Sequence, residues 1–187
     1  MCIRDRYLGD SEAREVTGYS VVTNYFENIV NNDPRFVDAS LLMATSNSIF
    51  AGKPNKTVEL LDKSLESITP QTSSYPFFLW SYKAIDEVLF LGDFEAAKKS
   101  YRTAAEWTKH SEVEGKETIA NRFLDTVAFL ETEPDSASVQ ISAWTLVLSN
   151  NADPKIQKYA LQKIVELGGI ITRKPNGEVQ IRSPKRV

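Results

Sequence analysis

Gly92-Asp93-Phe94-Glu95-Ala96-Ala97-Lys98-Lys99-Ser100-Tyr101-Arg102-Thr103-Ala104-Ala105 repeats, at a spacing of 40 residues, the plan of Gly52-Lys53-Pro54-Asn55-Lys56-Thr57-Val58-Glu59-Leu60-Leu61-Asp62-Lys63-Ser64-Leu65. In each segment a Gly is followed five positions later by a small residue, Thr57 or Ala97. A large one comes four further on, Leu61 or Tyr101, and a small one three after that, Ser64 or Ala104. Positions i, i+4 and i+7 lie on one face of an α-helix. Small side chains there let a neighbouring helix come close, while the large one fills the space between. The Gly supplies a positive φ where the preceding helix ends. The pair therefore predicts two helix–turn–helix units in series, and self-similarity at such a period marks a repeat architecture.

The remaining chain agrees with helices. Ile119, Phe123, Leu124, Val127 and Leu130 form an apolar stripe that ends near Pro134. Asp135-Ser136 reads as an N-cap for a helix carrying Val139, Ile141, Trp144 and Leu148. Asp153-Pro154 opens another, with Pro at its first position, that carries Ile156, Tyr159, Ala160 and Ile164 and stops at Gly168-Gly169. Thr69 to Pro76 is a connector rich in turn formers. Beyond Gly169, Ile170–Arg173 and Glu178–Ile181 alternate around Asn176-Gly177, which predicts a β-hairpin. Two strands alone are marginal in water, so the hairpin must dock on the last helix or fray. The end from Arg182 is expected to be disordered.

Here the residues resemble a known family. Gly92, Asp93 and Phe94 with Ala97, Tyr101 and Ala104 resemble the second half of a tetratricopeptide repeat. Trp80, Ala84 and Val88 fall near the Trp, small and apolar positions of the first half, and Pro70 near the closing proline of the preceding repeat. Gly18-Tyr19, Val22, Phe26, Ile29 and Asp33-Pro34 look like the end of an earlier one. The likeness is good over 77–107, fair over 18–70 and weak after 115. The overall pattern is also similar to that of cyanobacterial proteins of this type. It implies an all-α solenoid of about six to eight stacked antiparallel helices over 35–169, with a hairpin and flexible tail over 170–187. Met1 to Arg6 resembles a translated adapter scar of metagenomic assemblies, so residues 1–6 are expected to be artefact and 7–34 a truncated first repeat. Truncation would leave an open face around Val21, Val22 and Phe26, expected to self-associate or to be the least stable end.

Composition bounds the function. The net charge is −3, and Lys and Arg are scattered, which gives no nucleic-acid surface. One Cys and one His exclude a disulfide framework and any multi-cysteine or His-rich metal site. No apolar run reaches the roughly 18 residues that a membrane span needs. Phosphate loops, nucleophile elbows and zinc-protease motifs are missing from the sequence. His110 sits where a polar residue closes a helix. No cofactor and no catalytic residue is assigned.

Two features invite a partner. Tyr75, Phe77, Phe78, Trp80, Tyr82 and Phe90 crowd one region; Trp80 and Phe90 are expected in the core, with Tyr75, Phe77 and Tyr82 left open. Asp86 and Glu87 interrupt the apolar run Trp80–Leu91, and three roles stand for Asp86. It pairs with Lys83 at the surface, lines a groove, or serves as an acid of raised pKa. By helical phase Tyr82, Lys83 and Asp86 share a face. With Leu42, Ser46 and Asn47 they are the candidate partner-binding residues of the concave groove that the resemblance implies. Some relatives clamp a terminal carboxylate with Lys, Asn and Arg; Asn47 and Lys83 fall near such positions without the full set. The expected function is a non-catalytic scaffold or assembly factor for a protein or peptide segment. The alternative is a regulatory or accessory helical domain of a larger enzyme.

Overall fold

The computed structural model describes residues 18–19, 21–151, 153–174 and 179–184. The adapter-like residues 1–6, and positions 7–17 and 20 of the first expected repeat, lie outside these. Eight helices are seen among the described residues: α1 (Val22–Asn32), α2 (Val37–Ile49), α3 (Pro54–Leu65), α4 (Phe77–Asp86), α5 (Phe94–Lys109), α6 (Lys116–Glu131), α7 (Ser136–Ser149) and α8 (Pro154–Glu166). A π-helical turn, Glu87–Leu91, continues α4, and strands β1 (Ile170–Arg173) and β2 (Val179–Arg182) follow α8. The chain is all-α with a small antiparallel β tail.

Local chemistry sets these boundaries. The carboxylate of Asp93 accepts from Ala96 N at 2.9 Å, that of Asp135 from Ala137 N at 3.1 Å, and that of Asp153 from Lys155 N at 2.8 Å. Each thus satisfies an otherwise orphaned N–H of a first helical turn. Pro54 and Pro154 occupy first-turn positions, where a missing N–H costs nothing. Gly52 and Gly92 both take the left-handed conformation, at φ +63° and +66°. The small–large–small faces they introduce are buried throughout: Thr57, Leu61 and Ser64 on α3, Ala97, Tyr101 and Ala104 on α5.

Neighbouring helices pack in sequence from α1 to α6, and α2 packs on α4 as well as on α3. One core cluster joins α1, α2 and α3 through Phe26, Met43, Leu60 and Leu61, with Leu79 from α4. Another joins α4, α5 and α6 through Ala84, Ala97, Tyr101, Val127 and Leu130. Val22 and Phe26, expected on an open face, lie in the first of these clusters and are 1% exposed; Val21 and Tyr25 are the residues of that end left at the surface.

After α6 the succession changes. α7 pairs with α8 and packs on the π turn and on α2, far back in the chain, and makes no comparable contact with α6. Trp144, Ile141 and Val147 of α7 form a third core with Phe90, Leu89 and Ile49. Trp144 meets the edge of Phe90 at 5.2 Å between ring centroids. Both repeat glycines sit beneath this pair. A Cβ on Gly52 would lie 3.1 Å from Ile156 Cγ2, and one on Gly92 2.6 Å from Gln140 Nε2. So α7 and α8 lie along the two turns that link α2 to α3 and α4 to α5.

The hairpin pairs Ile170 with Arg182 and Arg173 with Val179, and it docks on α8, its Ile171 and Ile181 packing against the third core. Arg182, expected to begin a disordered end, is the last residue of β2 because its backbone completes that ladder.

Candidate functional site

The candidate residues separate into an inside and an outside. Asn47 is fully buried, and its side chain ties three helices together. Thr23 Oγ1 of α1 donates to its Oδ1 at 2.5 Å, and its Nδ2 donates to Thr57 Oγ1 of α3 at 3.0 Å. Ser46 is buried as well, and its carbonyl accepts from the N–H groups of Phe50 and Ala51 to close α2. Asp86 is 3% exposed and lies 2.5 Å from Ser48 Oγ. Ser48 Oγ is in turn 2.8 Å from Thr57 Oγ1. Asn47 and Asp86 therefore bond to neighbouring helices, and Ser46 is enclosed beside them. The small polar residues around them read as groove-lining in sequence because serine, threonine and asparagine suit either environment when each hydrogen bond is satisfied.

Burial acts strongly on the Asp86 carboxyl, since removal from water penalises the charged form. Its pKa is raised to about 8, with the hydroxyl of Ser48 opposing the rise and the neighbouring Glu87 adding to it. Lys83 does not pair with Asp86. Its ammonium lies 2.7 Å from Asp62 Oδ1 of α3 and 3.2 Å from Glu87 Oε1 one turn on, and 5.2 Å from the centre of the Trp80 ring. Burial pulls the Lys83 pKa down, but the two carboxylates outweigh it and hold it above the ordinary lysine value. Burial likewise lifts Glu87, against the influence of Ser100 and Lys83. No donor reaches its Oε2 with hydrogen-bond geometry. Lys83 is thus paired with two carboxylates, and Asn47 is enclosed among helices.

What faces outward is aromatic. Phe78, Tyr82 and Ile85 follow one another at i, i+4 and i+7 on α4, and Tyr75 stands just before the helix. Tyr75 is 51% exposed and Ile85 36%, while Phe78 and Tyr82 are half-buried. Ring centroids are 6.3 Å apart for Tyr75 and Phe78 and 6.5 Å for Phe78 and Tyr82, the range of favourable aromatic contact. Leu42 of α2 is half-buried and packs, as Tyr82 does, on the rim of the first core. Of the residues left open by sequence, Phe77 is fully buried and Tyr75 and Tyr82 are not. Phe90 is a core residue; Trp80 is half-buried, set edge-on against Trp107 at 5.8 Å.

Sequence reasoning missed Ser48 as the partner of Asp86 and Glu87 as the partner of Lys83. The second was readable from i, i+4 spacing. The first joins residues 38 apart and has no local signal.

Elsewhere, His110 closes α5 with its Nδ1 2.9 Å from Glu106 O. It lines a surface cleft of about 370 Å³ with Ser73, Ser74, Ser111 and Glu112. The hydroxyls of Ser73 and Ser111 are hydrogen-bonded to backbone atoms, not to the imidazole. Among the described residues no group of three or more His, Cys, Asp or Glu side chains is placed to hold a metal ion, and no helix is long and apolar enough to cross a membrane.

No protein-family model, no curated protein and no solved structure matches the chain.

Proposed function

We propose that the protein is a tetratricopeptide-like, non-catalytic interaction scaffold that takes a peptide or protein segment along α4, in the groove between α4 and α2. The observation that carries this reading is the aromatic stripe of Tyr75, Phe78 and Tyr82, continued by Ile85 on a helix whose Phe77, Leu79, Ser81 and Ala84 are buried. Rigid aromatic rings that are partly exposed supply large contact area at small entropic cost, which is why Tyr and Trp dominate interface hot spots. Leu42 supplies apolar surface on α2, and Lys83 with its two carboxylates supplies a fixed polar margin beside the stripe. Ser46, Asn47 and Asp86 contribute by fixing the helices that present it.

The test uses a displayed library of random peptides selected on the purified chain. Selected peptides are expected to bind the wild type and to lose at least about tenfold in affinity, roughly 1.4 kcal/mol, to a Phe78→Ala, Tyr82→Ala double variant. The variant should still unfold cooperatively, with a midpoint lowered by the loss of two half-buried rings, so that lost binding is read on a folded protein. Selection of peptides whose affinity is indifferent to both substitutions would remove the stripe from the proposal.

A further inference from the structure

The polar side chains between α1 and α4 form one continuous chain: Thr23, Asn47, Thr57, Ser48, Asp86. Its hydroxyl protons can be arranged in two ways. Ser48 has a single proton and two neighbours, Thr57 Oγ1 at 2.8 Å and Asp86 Oδ2 at 2.5 Å. Thr57 also has one, with Lys53 O at 3.1 Å and Ser48 as its alternatives. If Asp86 is the neutral acid it donates to Ser48, Ser48 donates to Thr57, and Thr57 donates to Lys53 O. If Asp86 is ionised the order reverses, and Thr57 donates to Ser48 and Ser48 to the carboxylate. Lys53 O then keeps the N–H of Thr57 at 3.0 Å. Two hydroxyl rotations interconvert the states.

The two states are not equal in energy. The ionised one puts a carboxylate at 3% exposure with one hydroxyl donor and no cation of its own, because the ammonium of Lys83 is committed to Asp62 and Glu87. A buried charge with so little compensation is costly. The groups facing this region add nothing that helps: Glu87 beside it is acidic, Asp62 on α3 is acidic, Tyr101 on α5 is held neutral with its pKa raised to about 12, and α2 contributes hydroxyls and an amide.

The position of this chain gives it a consequence. Ser48 is in the last turn of α2 and Asp86 at the last residue of α4, next to the π turn. Those two helix ends are the platform for α7 and α8. Ile49, Leu89 and Phe90 pack against Trp144 and its neighbours, and Ile49 O accepts from Asn151 Nδ2 at 3.2 Å. We infer that Asp86 is a proton-operated latch: as the neutral acid it bonds the end of α4 to Ser48 of α2 without burying a charge and so holds the platform on which α7 and α8 sit, whereas once ionised it keeps that bond only at the cost of an uncompensated buried carboxylate, which favours opening of the platform.

The direction of the pH dependence follows. In the unfolded chain Asp86 loses its proton near pH 3.9, whereas the folded chain keeps it to about pH 8. Between these values the folded state binds more protons, so stability falls as pH rises from about 4 to about 8 and then levels. Asp86→Asn preserves the neutral polarity, its amide donating to Ser48, and removes the titration.

Denaturant unfolding and amide exchange of the full chain, from about pH 5 to about pH 9, test the latch. The wild type should lose stability steadily with pH while Asp86→Asn follows a flatter profile. At about pH 9 the wild type should have lost at least about tenfold more protection in α7 and α8 than the variant, after correction for intrinsic exchange. Parallel profiles for the two proteins would overturn the proposal. Infrared spectra provide a readout that does not need the Asn variant to fold. A protonated-carboxyl band should persist at pH 7, vanish by about pH 9, and shift in Ser48→Ala, which removes the partner of Asp86 and not that of Glu87. A band absent at pH 7, or unmoved by Ser48→Ala, would overturn it as well.

Discussion

At the scale of single residues, the small–large–small faces carry much of the packing. Leu61 is fully buried between small neighbours, and Leu61→Ala should cost about 2–5 kcal/mol, read as a shift in the urea midpoint at unchanged slope. The opposite error is also informative. Ala104 is fully enclosed, and Ala104→Leu should cost about 1–3 kcal/mol or more by forcing α5 away from its neighbour. Glycines separate by what lies over them. Gly92 and Gly115 share a positive φ, +66° and +73°, but a Cβ on Gly115 meets nothing within 4 Å while one on Gly92 meets Gln140. Both Ala variants pay a backbone strain of about 1 kcal/mol. Gly92→Ala should cost more than Gly115→Ala, and the excess should shrink in a Gln140→Ala background.

Elements were legible in the sequence wherever the signal was local. Asp135 and Asp153 announce the helices they cap, Pro154 sits in a first turn, and the 40-residue likeness of two segments delivered the faces of α3 and α5. The hairpin was readable from alternation, which left docking or fraying open, and it docks on α8. The π turn was not readable. Glu87–Leu91 accommodates one residue more per turn than an α-helix, and nothing in Glu-Val-Leu-Phe-Leu distinguishes it from an ordinary helical run. The burial of three candidate site residues had no local signal either. Ser46, Asn47 and Asp86 lie on helical faces that could equally have pointed outward, and their enclosure depends on residues 24 to 38 positions away. Tyr82 and Leu42, which the spacing put on the same faces, are both half-buried.

For the whole molecule, the decisive feature is the return of α7 to α2 and the π turn. In a stack where each pair touches only its neighbours, the loss of one interface stays local. Here the third core fastens residues 49 and 90 to residues 144 and 147, so damage should travel. Trp144→Ala should cost about 3–5 kcal/mol. It should lower amide protection in the last turns of α2 and α4 together with that of α7 and α8. Protection lost from α7 and α8 alone would indicate two independent units.

The twin glycine turns also fix how far apart two successive helix pairs can stand. One helix pair rests a residue of α8 against Gly52 and a residue of α7 against Gly92, so it acts as a ruler cut to the separation of two successive turns. A third unit spliced between Glu66 and Pro76 would carry the second turn out of its reach.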